Sequence, residues 1–252
     1  MWRMLESRSR AVLQDVPALA PGAVHVWHAS VNAPSSTMAA LHALLAPDER
    51  VRAARFHRAI DRDRYTVTRS ALRILLSGYV RVAPAALTFA YTEFGKPKIP
   101  AGEPGSGVAF NVSHSGEMAL FAFSRGSAVG IDIEAHRPDV DVLELSRMVF
   151  ADAERALLAA AAPERRHALF YRAWARKEAV LKGCGTGLSS EPKRIVVLDG
   201  GDTAGNVVAI DAGARFGAWG VCDVDAGDGY SASVAAPGLD WQPRYFDLLW
   251  AG

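Results

Sequence analysis

Along the chain, the spacing of hydrophobic positions switches between two periods. Residues 24–28 (Val-His-Val-Trp-His) alternate apolar and polar, which predicts a half-buried strand. Val67, Ala71, Leu72, Leu75 and Tyr79 recur at helical spacing and predict an amphipathic helix. A strand is expected at 87–91, and alternation returns at 108–112, 118–123 and 128–133. Turns at Ser115-Gly116 and Arg125-Gly126 separate these last three segments, the pattern of an antiparallel meander. Helical spacing takes over at 153–162 and 163–182, stopping at Gly183, Gly185 and Gly187. Residues 194–198, 207–210, 218–224 and 230–235 complete the pattern as strands.

Local punctuation refines these elements. Residues 1–22 form an irregular lead-in ending at Pro21-Gly22, and 32–37 a turn-rich connector before a short helix at 38–45. Pro47-Asp48-Glu49 opens the next helix, because proline suits the first turn and acids there meet the positive end of the dipole. Asp61 and Asp152 are the expected N-caps of two later helices. Helices and strands come in runs rather than as βαβ units, so the fold class is α+β. Each half, 1–125 and 126–252, holds helices plus an antiparallel sheet, although no sequence repeat relates the two.

Composition narrows the function. A chain of 252 residues, half of them hydrophobic, makes one large domain or two small ones packed together. A net charge of +1 gives no strong field to recruit nucleic acid or a membrane. Cys184 and Cys222 allow neither a disulfide framework nor a zinc spacing. Arg3, Glu6, Arg8 and Arg10 are followed by no apolar core, unlike a signal peptide, and the longest apolar run, 156–162, is too short to span a bilayer. A soluble, cytoplasmic protein is expected. One local imbalance stands out: eight arginines against four acids between positions 48 and 73, either a solvated helical face or an anion-binding surface.

The chemistry is concentrated in four blocks. In Val129-Gly130-Ile131-Asp132-Ile133-Glu134 the two acids share one face of a strand and the isoleucines the other. Neighbouring carboxylates repel, and Mg2+ takes oxygen ligands, using one or two carboxylates with substrate phosphates. A pair of solvated acids is the plainer alternative. Trp174, Glu178 and Lys182 lie at i, i+4 and i+8, along one stripe of the 163–182 helix. They are either a helix-supporting ion pair beside a half-buried indole, or a third acidic ligand one turn from a phosphate-binding lysine. Phe110-Asn111-Val112-Ser113-His114-Ser115-Gly116 ends a strand in a polar turn whose N–H groups can hold an anion. Phe94-Gly95-Lys96-Pro97 is a turn whose lysine matters if it points into the same cleft.

Taken in this order, the four blocks resemble the 4′-phosphopantetheinyl transferases, specifically the larger Sfp-type class. The resemblance extends from about residue 45 to 190 and is weak in the lead-in and the tail. It implies two similar α+β halves packed as an intramolecular pseudo-dimer, with coenzyme A in the cleft between them. It implies transfer of the 4′-phosphopantetheine arm of coenzyme A to a serine of an apo acyl, peptidyl or aryl carrier protein, releasing adenosine 3′,5′-bisphosphate. By the same resemblance Asp132, Glu134 and Glu178 hold Mg2+, and Glu178 supplies the base directly or through water. Lys182 grips the pyrophosphate, and Lys96, Ser113 and His114 contact the phosphates or nucleotide of coenzyme A. Arg52 meets the 3′-phosphate, with Arg50, Arg55 and Arg64 as substitutes. A monomer is expected, since one chain contains both halves. Water in place of serine would make the same residues an Mg-dependent pyrophosphate hydrolase acting on coenzyme A or a nucleotide. A coenzyme A-binding scaffold without activity is disfavoured by the intact acid set.

Overall fold

The computed structural model describes residues 2–6, 11–13, 15–185, 192–198, 208–211 and 217–250. The chain opens with strands β1 (Trp2–Glu6), β2 (Ala11–Leu13) and β3 (Ala23–Ser30). Helices α1 (Ser35–Leu44), α2 (Pro47–Ala54) and α3 (Ala59–Val80) follow. Then come β4 (Ala90–Tyr91), β5 (Pro97–Lys98), β6 (Val108–Ser115), β7 (Met118–Arg125) and β8 (Gly130–Ala135). Helices α4 (Val142–Val149), α5 (Asp152–Ala160) and α6 (Pro163–Cys184) lead into β9 (Val208–Asp211), β10 (Ala218–Val224), β11 (Tyr230–Pro237) and β12 (Gln242–Trp250).

The helix starts follow from their side chains, with corrections. Asp61 lies in the first turn of α3, and Arg58 holds the cap position. Asp152 is itself helical; the α5 entry is held by Glu154, which accepts from Ala151 N–H at 2.9 Å. Glu49 does the same for α2, accepting from Ala46 N–H at 2.9 Å. Helix α4, which the hydrophobic spacing does not single out, is capped by Asp141, accepting from Leu143 N–H (3.1 Å) and Glu144 N–H (3.0 Å). Helix α6 stops where Gly185 turns left-handed at φ 74°, as a glycine does freely. Gly187 and residue 207 lie outside the described residues.

Two main sheets form, in the orders β2-β1-β12-β3-β7-β6 and β8-β11-β10-β9. The expected three-strand meander is therefore broken after β7. Both edges of β7 are already filled, by β3 and β6, so β8 pairs with β11 instead. The lead-in is not irregular: β1 pairs with β12 and β2 with β1. Residues 242–250, from the second half of the chain, return to the first sheet and lie parallel to β3, from Gln242 opposite Ala23 to Leu248 opposite Ala29. All other pairings among the described strands are antiparallel. Two predicted strands are shortened or lost because their carbonyls serve buried cations. Leu87 O accepts from Arg73 at 3.0 Å, leaving only β4 of the 87–91 segment. Ile195 O accepts from Lys177, and a 3₁₀ turn at Pro192–Arg194 replaces the start of the 194–198 strand.

The layers run helix, sheet, sheet, helix. Leu72, Leu75 and Tyr79 of α3 pack with Trp27, Phe121 and Phe123 on the outer face of the first sheet. Phe170, Ala173 and Val180 of α6 pack with Val221 and Ala235 on the outer face of the second. Between the sheets lies a third apolar layer: Val24, Val26, Leu120 and Ala122 against Ile131, Ile133, Cys222 and Val234. Alternation then turns Asp132 and Glu134 toward α6. Helix α6 can come close because β8 begins with glycine. A Cβ at Gly130 would stand 1.9 Å from Ala179 O and 2.4 Å from Gly183 N.

Candidate active site

Packing α6 on β8 brings the stripe Trp174-Glu178-Lys182 over the two strand carboxylates. Lys182 Nζ pairs with Asp132 Oδ1 and donates to Ser113 Oγ at 3.0 Å. Ser113 Oγ donates in turn to Asp132 Oδ1 at 2.9 Å, tying β6 into the group. Trp174 Nε1 donates to Glu134 Oε1 at 3.0 Å. Asp132 is buried, and its second oxygen, Oδ2, has no hydrogen-bond partner among the described residues.

The carboxyls share one electrostatic field. Burial, then the charge of Asp132, pushes Glu178 up to about 7, with Lys182 opposing. Burial also raises Asp132, against the pull of Lys182, and burial followed by the Asp132 charge raises Glu134. Among the described residues no group of three or more His, Cys, Asp or Glu stands close enough together to hold a metal ion as placed. The donor set nonetheless fits a hard divalent cation. The acids are oxygen donors only, the Asp132 charge raises both glutamates, and Asp132 Oδ2 is a buried acceptor with no partner among the described residues.

A histidine of the first half shares this field. His114 is on β6 and keeps solvent access. Partial desolvation, then the charges of Lys182 and Arg64, hold its imidazole below the usual range, so it is a neutral donor near pH 7. Arg64, on α3, has a buried Nε with no partner among the described residues. The arginine-rich stretch thus divides. Arg69 and Arg73 are spent internally on Glu49, whereas Arg50, Arg52, Arg55, Arg58 and Arg62 are exposed. Arg52 stands apart from the acids, 5.6 Å from the Tyr65 ring, in a cavity of 740 Å³ with Arg55, Phe56 and Gly95. Gly95 also lines an adjoining cavity of 220 Å³ that reaches Lys96 and Lys182. Lys96 is not free in that cleft. Its amine, lowered to about 8 by burial, donates to Val129 O (3.1 Å) and Lys182 O (2.7 Å). Lys177, beside Glu178 in sequence, points the other way and pairs with Glu154 at 2.7 Å. A further cavity of 600 Å³, by His136, Arg165 and Leu169, contains none of the sequence-predicted residues.

Asp132, Lys182 and Ser113 therefore meet, Glu134, Glu178 and His114 share their electrostatic field, Lys96 bonds the backbone of Val129 and Lys182, and Arg52 lines the outer cavity. Arg64 enters the sequence reading only as a substitute for Arg52 at the 3′-phosphate, whereas the phase of α3 sets its charge beside His114.

Comparison with known proteins gives the class. A family model described as the 4′-phosphopantetheinyl transferase superfamily matches residues 128–235. A second, for the N-terminal region of 4′-phosphopantetheinyl transferases, matches residues 27–125. The 4′-phosphopantetheinyl transferase HetI of Nostoc sp. is 34% identical over 223 residues, covering 88% of this chain and 91% of that protein. The 4′-phosphopantetheinyl transferase Sfp of Bacillus subtilis is 31% identical over 145 residues, 58% of this chain and 62% of that one. A crystal structure of Thermotoga maritima holo-[acyl-carrier-protein] synthase matches at 19% identity and a TM-score of 0.31, over 43% of this chain and 61% of that one, too faint to bear on the reading. The chain belongs to the 4′-phosphopantetheinyl transferase family and is an enzyme of that class. Among the described residues, no helix is long and apolar enough to cross a membrane.

Proposed function

We propose that this enzyme transfers the 4′-phosphopantetheine arm of coenzyme A to a serine hydroxyl of an apo acyl, peptidyl or aryl carrier protein. The reaction uses Mg2+ and releases adenosine 3′,5′-bisphosphate. The observation that carries this reading is the contact of Asp132 and Lys182 from one half with Ser113 from the other, in an electrostatic field that Glu134, Glu178 and His114 share. The active cleft then lies between 1–125 and 126–252.

Asp132, Glu178 and Glu134 would hold the cation, which when bound neutralises charge on the diphosphate. Lys182 grips the diphosphate, and His114 and Arg64 absorb the charge that builds on it as the bond breaks. Arg52, in the outer cavity, takes the 3′-phosphate. The serine oxygen bonds to the β-phosphorus, and the bond from that phosphorus to the bridging oxygen breaks. The bisphosphate departs with that oxygen. Glu178, directly or through a water, accepts the serine proton.

Intact-mass spectrometry of apo carrier proteins, incubated with the enzyme, coenzyme A and Mg2+, tests the reading. One phosphopantetheine mass is expected on each accepted carrier, lost when the acceptor serine is alanine and when EDTA is present. Bisphosphate release at the same rate without a carrier would replace this reading with a pyrophosphate hydrolase.

A further inference from the structure

Strands β6 and β8 are the facing edges of the two main sheets, and they are joined by side chains rather than by a backbone ladder. Asn111 Oδ1 accepts from Ile131 N–H (2.8 Å), Ser113 Oγ from Ile133 N–H (3.4 Å) and Ser115 Oγ from Ala135 N–H (3.0 Å). Three alternate side chains of one strand take three alternate amides of the other. Each end of the seam is closed by another polar contact. Lys96 Nζ donates to Val129 O at 3.1 Å, and Glu117 N–H donates to Tyr230 Oη at 3.2 Å. Buried edge amides are costly when unpaired, so these acceptors are required where they stand.

We propose that Asn111, Ser113 and Ser115 are positioning residues that fix the register of β8 against the first half. Asp132 and Glu134 alternate with the three held amides, so the seam sets where both carboxylates stand relative to His114 and Arg64. A backbone ladder repeats every two residues and tolerates a two-residue slip. This seam does not. Asparagine reaches further from its backbone than serine, so a slip misplaces the long acceptor and leaves an amide unpaired. The Asn-x-Ser-x-Ser spacing at 111–115 is, on this reading, a register key between the halves. The effect on turnover rests on the transferase reaction proposed above; the effect on the amides does not.

Hydrogen exchange read at single amides, with steady-state kinetics on the full chain, tests this. In Ser115→Ala the Ala135 amide is expected to exchange about tenfold faster, and Ser115→Thr, which keeps the hydroxyl, restores it. Amides of β10 stay protected. The kcat falls about tenfold while KM for coenzyme A stays within about twofold, because the side chain meets protein rather than substrate. Asn111→Ser keeps an acceptor but shortens its reach, and is expected to free the Ile131 amide without unfolding. A raised KM with unchanged kcat and unchanged exchange in Ser115→Ala would overturn the proposal, as would full protection of Ile131 in Asn111→Ser. Wild-type protein that modifies no carrier would sink the transfer reading while the exchange result still decides the seam.

Discussion

Helices α3 and α6 are the same device used twice. Each is 22 residues long, and each carries a buried cation fourteen residues after its first: Arg73 in one, Lys177 in the other. Each cation is clasped at 2.7 Å by the glutamate that also holds the entry of a short earlier helix, Glu49 of α2 or Glu154 of α5. One residue beyond the cation the halves part. The first has Ile74 and, four further on, Gly78; the second has Glu178 and Lys182. The ion pair is therefore scaffold common to both halves, and the chemistry is laid beside it in one of them. Fully paired Glu49 and under-paired Glu178 show the same contrast electrostatically. Burial pushes Glu49 up, but the Arg73 hydrogen bond and the Arg69 charge outweigh it and hold it low. Nothing of that kind opposes the rise of Glu178 beyond Lys182.

The sharpest way to separate scaffold from chemistry is substitution on either side of that boundary. Glu178→Gln is expected to lower kcat by about 10²–10⁴-fold without lowering the urea midpoint. An unchanged rate would remove Glu178 from the mechanism. Lys177→Met, one residue away, is expected to cost about 3–5 kcal/mol of stability by stranding Glu154, seen as a lower urea midpoint. The double variant Lys177→Met/Glu154→Leu recovers only the part due to the stranded charge, because Glu154 also accepts from the Ala151 and Val197 amides.

The pH dependence should split the same way. The folded pKa of Glu49 is depressed, so its stabilisation is present above the ordinary carboxylate range and lost as pH falls below that range through the folded value. That of Glu178 is raised to about 7, so the folded state binds the extra proton and metal-free protein loses stability as pH climbs from about 4.5 to about 7. The loss is about 3 kcal/mol, measurable as a falling urea midpoint across that window and absent in Glu178→Gln. The smallest effect is expected at Arg69→Lys, which keeps one of two cations on Glu49: about 1 kcal/mol, with no change in kcat.

What can be read from the sequence is whatever a single element decides. Period alone puts Asp132 and Glu134 on one face and Trp174, Glu178 and Lys182 on one stripe, because both facts are local to a strand or a helix. Pairing is not local. That β8 leaves the meander follows from β3 having taken the free edge of β7, a contact between residues about a hundred positions apart. The strand at 2–6 forms against 242–250, which is itself seated on β3, more than 200 positions away in sequence. The motif at 111–115 reads as a phosphate-binding turn, yet its alternate residues face a neighbouring strand, which no one-dimensional pattern reveals. Lys96 likewise needs a helix end 86 residues away to explain where its amine goes.

The return of β12 to a place between β1 and β3 bears on how the protein is made. During synthesis the first sheet has a gap at its middle until residues 242–250 leave the ribosome tunnel, with the facing edge of β3 waiting bare. A chain cut anywhere between the end of α6 and residue 242 keeps every acid and base of the cleft, yet is expected to aggregate through that exposed edge. Appending a tag after β12 is then safer than trimming it.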